Sequence, residues 1–404
     1  MRSYDVVVIG AGILGLAVAR ELEHRHAGLR LAVLDKEPKI GQHQTGHNSG
    51  VIHSGIYYAP GSLKARLCVE GSRNLYAYCE AKGIPTDRCG KVIVASSDEE
   101  VPRLENLFSR GQANGVEGLE MIGPDRLREI EPHCVGVKAL WSPNTGIVDY
   151  DRVARAYADD VRAAGGEVLP GYEVFGFQER PSAVVLETPA GEVEAKHAVA
   201  CAGLHADRVA RMTGAPRAPR IVPFRGDYWV LRPDRAFLAR NLIYPVPDPT
   251  FPFLGVHFTR RLDDGAVWLG PNAVLAFARE GYRRLDTRPR DLLDAVSYPG
   301  FQKLAGKFWR TGLEEMVRDF SKAAFLRSLR RYVPELELAD LLPGPSGVRA
   351  QALGPDGTLV DDFVFNTQGN RIVHVRNAPS PGATSSLAIG RMIADTAEQT
   401  FGLT

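Results

Sequence analysis

The chain has 404 residues, 44% of them hydrophobic and 24% charged, with a formal net charge of +1. That length exceeds one ordinary core and predicts two domains, while the balanced charge gives no electrostatic case for nucleic acid. Five cysteines (Cys68, Cys79, Cys89, Cys134, Cys201) show no C-x-x-C spacing, which argues against a metal site, a redox dithiol or a disulfide framework and reads as reduced, buried thiols in a cytoplasmic protein. No stretch has the length of apolar sequence needed to span a bilayer, and a strand begins by about residue 4, so no signal or transit peptide is expected.

The first element is the apolar run Asp5-Val6-Val7-Val8-Ile9, followed at once by Gly10-Ala11-Gly12-Ile13-Leu14-Gly15 and a helical pattern through Leu16, Ala17, Ala19, Arg20 and Leu22. This strand, G-x-G-x-x-G and helix order binds dinucleotides for a physical reason. Gly10 makes the tight turn, Gly12 lets backbone approach a pyrophosphate, and Gly15 lets the helix pack on the sheet. The helix start then offers free N–H groups and partial positive charge to phosphates. A second apolar run, Leu29 to Leu34, ends at Asp35, 20 residues after Gly15, where an acid binds unphosphorylated ribose. The next segment, Gly41 to Tyr58, carries three histidines, two serines and several glycines. It is too polar for a core element and reads as a cradle around a cofactor. Its glycines break any H-x-x-x-H helix spacing, so a zinc site is rejected.

Nucleotide-domain signals recur in separated blocks. Residues 150–212 hold a helical pattern, Val153 to Ala164, and short strands at Glu167–Leu169, Val184–Leu186 and Ala198–Ala200. Between the blocks, Asp227–Leu231 and Gly265–Leu269 alternate as antiparallel strands do. The reading is therefore an α/β fold: a discontinuous Rossmann-like domain over 1–75, 150–212 and 341–404, interleaved with an antiparallel-sheet substrate domain over 76–149 and 213–340. The cleft between them is the expected small-molecule site. Near the end, the strand Ile372–Arg376 leads through Asn377–Ser386 into a helix expected over Leu387 to Thr400. A second helix N-terminus aimed at the cofactor suits a flavin, whose N1/C2=O edge becomes negative on reduction. This step favours FAD over a nicotinamide.

These stretches resemble the flavoprotein superfamily of D-amino-acid oxidase and glycerol-3-phosphate dehydrogenase, and within it the L-2-hydroxyglutarate oxidase/dehydrogenase family. The likeness rests on His43–Tyr58, Pro60–Ala65, Pro223–Gly226, Leu269–Ala273 and Asn377–Pro381, and spans essentially the whole chain. One departure is Asp35, where the superfamily more often has glutamate. The resemblance implies FAD-dependent oxidation of L-2-hydroxyglutarate to 2-oxoglutarate by hydride transfer to flavin N5, with a quinone or oxygen as electron acceptor. The same machinery on another 2-hydroxy acid, an amino acid or glycerol 3-phosphate is the alternative. It implies cofactor contacts from Gly10, Gly12, Ile13, Leu14 and Gly15 to the pyrophosphate and from Asp35, with Lys36 beside it, to the ribose. Thr45, His47, Asn48, Ser49 and Val51 would line pyrophosphate and flavin, Val174 would meet the adenine, Ala202 and Gly203 would pack close, and Gly382, Ala383, Thr384 and Ser385 would cap the flavin.

On the substrate side, Arg349 matches the superfamily position that holds the substrate anion, and a guanidinium suits bidentate carboxylate binding. His53 is the first candidate base and His257 the second, since imidazole titrates near neutrality; His374 is a weaker third. A distal carboxylate could use Arg225, Lys64, Arg66, Tyr57 or Tyr58. Residues 302–332 carry Lys303, Lys307, Arg310, Arg318, Lys322, Arg327, Arg330 and Arg331 among aromatic residues. That pattern fits either a peripheral contact with the inner membrane or helices covering the substrate sheet.

Overall fold

The computed structural model describes residues 1–248 and 255–403, with residues 310–320 described by their backbone alone. Val6, Val7 and Val8 are fully buried because the strand Arg2–Ile9 is covered on both faces. Alternation sends Val6 and Val8 into one apolar cluster with the helices Ile13–Arg25, Tyr150–Ala163 and Ser386–Phe401, and Val7 and Ile9 into another on the opposite face. Five strands run parallel in the order Glu167–Pro170, Leu31–Asp35, Arg2–Ile9, Gly191–Ala200, Ile372–Asn377. Antiparallel strands extend this eight-stranded sheet at its edges. The central strand has its sequence neighbour Leu31–Asp35 on one side and the distant Gly191–Ala200 on the other. A crevice opens beyond the strand ends at such a point.

A second sheet, of nine strands, forms the other half, largely antiparallel and built on the long strand Arg220–Leu231. The strand Leu341–Leu353 lies along it, pairing Phe224 with Arg349. Here the structure differs from the expected boundary at 341, since residues 341–353 belong by pairing to the second sheet. Their alternation serves a sheet partner more than a hundred residues earlier, so sequence order could not assign them. Among the described residues no helix is long and apolar enough to cross a membrane.

Two glycine predictions take physical form. Gly10 has φ +104, and a β-carbon at Gly15 would collide with the Gly10 carbonyl oxygen. The first glycine makes the turn, and the last lets the helix settle on it. Gly12 then caps the helix with extended backbone.

The stretch read as either a membrane contact or a cover for the substrate sheet turns part of its apolar side inward. Phe301, Leu304 and Phe308 join one core cluster and Phe325 another, while Trp309 is 60% exposed. The helix Pro299–Phe320 departs from helical geometry at Phe308. Arg310, Arg318 and Phe320 lie outside the residues whose side chains are described.

Candidate active-site cleft

A cleft of about 1590 Å³ runs between the two sheets, larger than the common range of small-molecule pockets and roomy enough for a dinucleotide beside a substrate. At one end lie Gly10, Gly12, Ile13, Leu14, Gly15, Asp35 and Lys36, with Val174, Ala202 and Gly203 along the wall. The Asp35 carboxylate accepts from Ala11 N at 2.6 Å and from Glu37 N at 2.9 Å. Each oxygen keeps lone-pair capacity for a ribose hydroxyl. Burial raises the Asp35 pKa despite these bonds. Lys36 bridges Glu37 and Glu280, the latter at 2.6 Å, and lies 3.1 Å from His43 Nε2. Glu37, His43 and Glu280 could by spacing hold a cation, but the lysine ammonium already sits among them.

The polar segment after the second strand lines the middle of the cleft through Thr45, His47, Asn48, Ser49 and Val51. Several of its side chains hold the loop as well as face the cavity. Thr45 Oγ1 accepts from Ile13 N at 3.0 Å and so caps the fingerprint helix. Asn48 bridges backbone groups, accepting from Gly50 N at 2.8 Å. The His47 ring stacks on Tyr282 at 3.9 Å. Gln44, not anticipated, accepts from Ala350 N at 2.7 Å and ties this loop to the second sheet. The loop and sheet touch so closely that a β-carbon on Gly347 would lie 2.6 Å from His47 O.

The terminal helix starts at Ser386, and Gly382, Ala383 and Thr384 line the cavity just ahead of it. Thr384 Oγ1 accepts from His53 N at 3.1 Å and lies 3.0 Å from Tyr150 Oη. Ser385 follows them in the chain. It is fully buried outside the cavity lining, where a β-carbon on Gly71 would come within 2.5 Å of its Cα. It is the residue before the helix and its side chain makes no capping bond. Close packing against the helix Leu63–Ala81 turned it away.

Beyond this helix start lie His53, Tyr57, Tyr58, Lys64, Arg225, Tyr228, Tyr244, His257 and Arg349. Arg349 projects into the cavity, open to it though enclosed by protein, and burial lowers its pKa. His257 Nδ1 lies 2.9 Å from Gly255 O and must donate to it, leaving Nε2 as the acceptor nitrogen. Its ring stacks on Tyr244 at 4.0 Å. Burial pulls His257 down to about 4 against that carbonyl bond. Burial, helped by the charges of Lys91, His257 and Arg349, pulls His53 to about 3. Both imidazoles are neutral near pH 7, and an arriving anion would raise their proton affinity.

The remaining candidates separate. Arg225 Nε is held by Asp227 at 3.0 Å, and its Nη1 donates to Arg283 O. Lys64 pairs with Asp361 at 2.5 Å. Arg66 is exposed and outside the cleft. His374 is buried away from it, with Nε2 2.8 Å from Thr213 Oγ1. Sequence reasoning missed Lys91, which lies just behind the substrate end. The signal was present in Lys91-Val92-Ile93-Val94-Ala95, where a charge opens a strand buried along its whole length.

The donor set fits a flavin dinucleotide. The fingerprint turn, the ribose acid and the start of the terminal helix face one cavity, and His53 Nδ1 is a buried polar atom with no partner among the described residues. Comparisons with known proteins agree. The family model described as FAD dependent oxidoreductase matches residues 5–396. The L-2-hydroxyglutarate dehydrogenase, mitochondrial, of Nematostella vectensis is 53% identical, with 99% of this chain and 91% of that protein covered. The human protein of the same name is 51% identical, covering 99% and 90%. The L-2-hydroxyglutarate dehydrogenase of Indibacter alkaliphilus is 47% identical, covering 98% and 100%. Among solved structures, FAD-bound L-alpha-glycerophosphate oxidase from Mycoplasma pneumoniae has a TM-score of 0.80 at 22% identity, covering 100% and 96%.

Proposed function

The chain belongs to the family of FAD dependent oxidoreductases, in its L-2-hydroxyglutarate dehydrogenase branch, and from that premise we propose that it oxidises L-2-hydroxyglutarate to 2-oxoglutarate. The observation that carries this reading is the sharing of one cleft by Arg349, two neutral histidines, the fingerprint turn and the start of the terminal helix. Gly10–Gly15 would hold the pyrophosphate and Asp35 the ribose, with Val174, Ala202 and Gly203 along the adenosine wall. Thr45–Val51 and Gly382–Thr384 would surround the flavin. When bound, FAD supplies the two-electron acceptor for the hydride leaving C2.

The chain's own groups do the rest. Arg349 pairs with the C1 carboxylate and fixes the substrate's orientation. His257 takes the hydroxyl proton on Nε2. What supports His257 over His53 is the Gly255 carbonyl, which sets the tautomer, whereas His53 Nδ1 has no such partner among the described residues. Tyr57 and Tyr58 close the pocket, and the packed aromatic walls exclude water from the transfer.

Electrons then pass to a quinone or oxygen. Contact with a membrane surface would use the basic residues Lys303 and Lys307 around exposed Trp309; co-sedimentation with anionic vesicles that Trp309→Ala leaves unchanged would reject that contact.

The deciding experiment records the visible spectrum of the purified holoenzyme, without oxygen, before and after L-2-hydroxyglutarate. Bleaching by the L- but not the D-enantiomer is expected. A flavin spectrum unmoved by L-2-hydroxyglutarate but bleached by an amino acid or glycerol 3-phosphate would transfer the assignment to that substrate.

A further inference from the structure

Lys91 opens the strand Lys91–Ala95 and is 1% exposed. Among the described residues no carboxylate pairs with it. Its Nζ lies instead 4.7 Å from the ring centre of Tyr57 and 5.1 Å from that of Tyr244, and both rings line the cleft. Burying a lone ammonium is costly, and ring faces return only part of that cost. A charge kept at such cost one layer behind a substrate pocket points to use. Tyr57 provides the link, because its hydroxyl is buried with no hydrogen-bond partner among the described residues. An ammonium against a phenol ring strengthens that hydroxyl as a donor to an anion.

We propose that Lys91 is a specificity-determining residue, which through Tyr57 and the field it projects past Tyr244 makes the pocket prefer a doubly charged acid over a singly charged one. The inference rests on the 2-hydroxyglutarate reading, in which Arg349 holds one carboxylate and a second must find positive potential. Lys91 supplies it without touching the substrate.

The groups facing Lys91 leave its titration distinguishable. Burial pushes Lys91 down to about 8. His53 and His257 lie far lower, at about 3 and 4. Cys68 is pushed up to about 12, Tyr57 and Tyr244 are raised by burial, and Arg349, though lowered by burial, starts from the far higher range of a guanidinium.

The test measures dissociation constants of oxidised holoenzyme for 2-oxoglutarate and for 2-oxobutyrate, read from the flavin absorbance shift so that no turnover is needed. Lys91→Met is expected to weaken 2-oxoglutarate binding about tenfold or more, as loss of a unit charge several ångströms away implies, and 2-oxobutyrate binding less than about twofold. Lys91→Arg should retain most of the preference, and Tyr57→Phe should lose much of it. Equal weakening of both acids, or of neither, overturns the proposal. If Lys91→Met fails to retain flavin, the wild-type enzyme decides. Its 2-oxoglutarate affinity should fall above about pH 8 while that for 2-oxobutyrate changes little, and parallel profiles overturn the proposal. Wild-type enzyme that does not oxidise L-2-hydroxyglutarate defeats the substrate reading; enzyme that oxidises it but discriminates equally well without Lys91 defeats this inference alone.

Discussion

At Gly15 a single hydrogen is the whole side chain, and the Gly10 carbonyl occupies the space a methyl would need. Gly15→Ala is expected to shift the helix off the strand at a cost of about 1–3 kcal/mol and to yield protein with a reduced flavin-to-protein ratio, measurable by absorbance after denaturation. His257→Gln should lower kcat by about 10²–10⁴, the usual range for a positioned base, while His53→Asn keeps most of the rate; a larger loss at His53 than at His257 would return the base to His53. Arg349→Met should reduce kcat/KM about 10²-fold or more, since a carboxylate would lose its charged partner in an enclosed site. Steady-state kinetics of the three variants check both statements. The fingerprint glycines and Asp35 were legible because they belong to a short motif with its own chemistry, whereas Arg349 was reached only through the family resemblance. The tautomer of His257 was not legible, because it is set by a carbonyl two residues away whose direction only the folded strand defines.

At the level of elements, the two sheets are held in relation by contacts that no local pattern announces. Arg279, in the loop after the second sheet's last short strand, grips Asp207 on the helix Ala206–Met212, with Nη2 to Oδ2 at 2.9 Å and its other amine also bonded to that carboxylate. Both side chains are buried, and Arg279 Nη1 also reaches Leu204 O at 2.6 Å. Removing one partner strands a buried charge. Arg279→Met is therefore expected to destabilise the holoenzyme by about 3–5 kcal/mol, seen as a lower urea midpoint, and Asp207→Leu added to it should recover part of the loss. The strand Leu341–Leu353 makes the same point about topology. Its register with Arg220–Leu231, more than a hundred residues earlier, places Arg349 opposite Phe224.

Across the whole molecule, three histidines enclosed by protein, His257 and His374 buried and His53 half-buried, bias stability with pH. His53, His257 and His374 are depressed to about 3, 4 and 4, the last by burial beside Arg376. Unfolded, each would bind a proton near its reference value of about 6.5. The unfolded chain thus holds more protons between about pH 4 and 6.5, so their contribution is full above that interval and is lost as acid is added. Glu23 acts in the opposite direction: burial raises it to about 7, and its contribution fades as pH rises through that value. Through these histidines the thermal midpoint of substrate-free enzyme should fall from pH 6.5 to pH 4.5, and Glu23→Gln should steepen that fall. A flat midpoint over the interval would show that the histidines are not buried as neutral groups.

Local order along the chain was enough to establish the dinucleotide fingerprint, the parallel strands around it and the terminal helix, because each depends on neighbours within a few residues and on hydrophobic periodicity. Chemistry confined to one motif was equally readable, from the ribose acid to the polar cradle. Lys91 behind Tyr57 and Tyr244, Ser385 turned against Gly71, and Gln44 tied to Ala350 depended on elements brought together from far apart in the chain. Packing at a few ångströms chose which side chains face the cleft, and no periodicity encodes a distance between elements that meet only after folding.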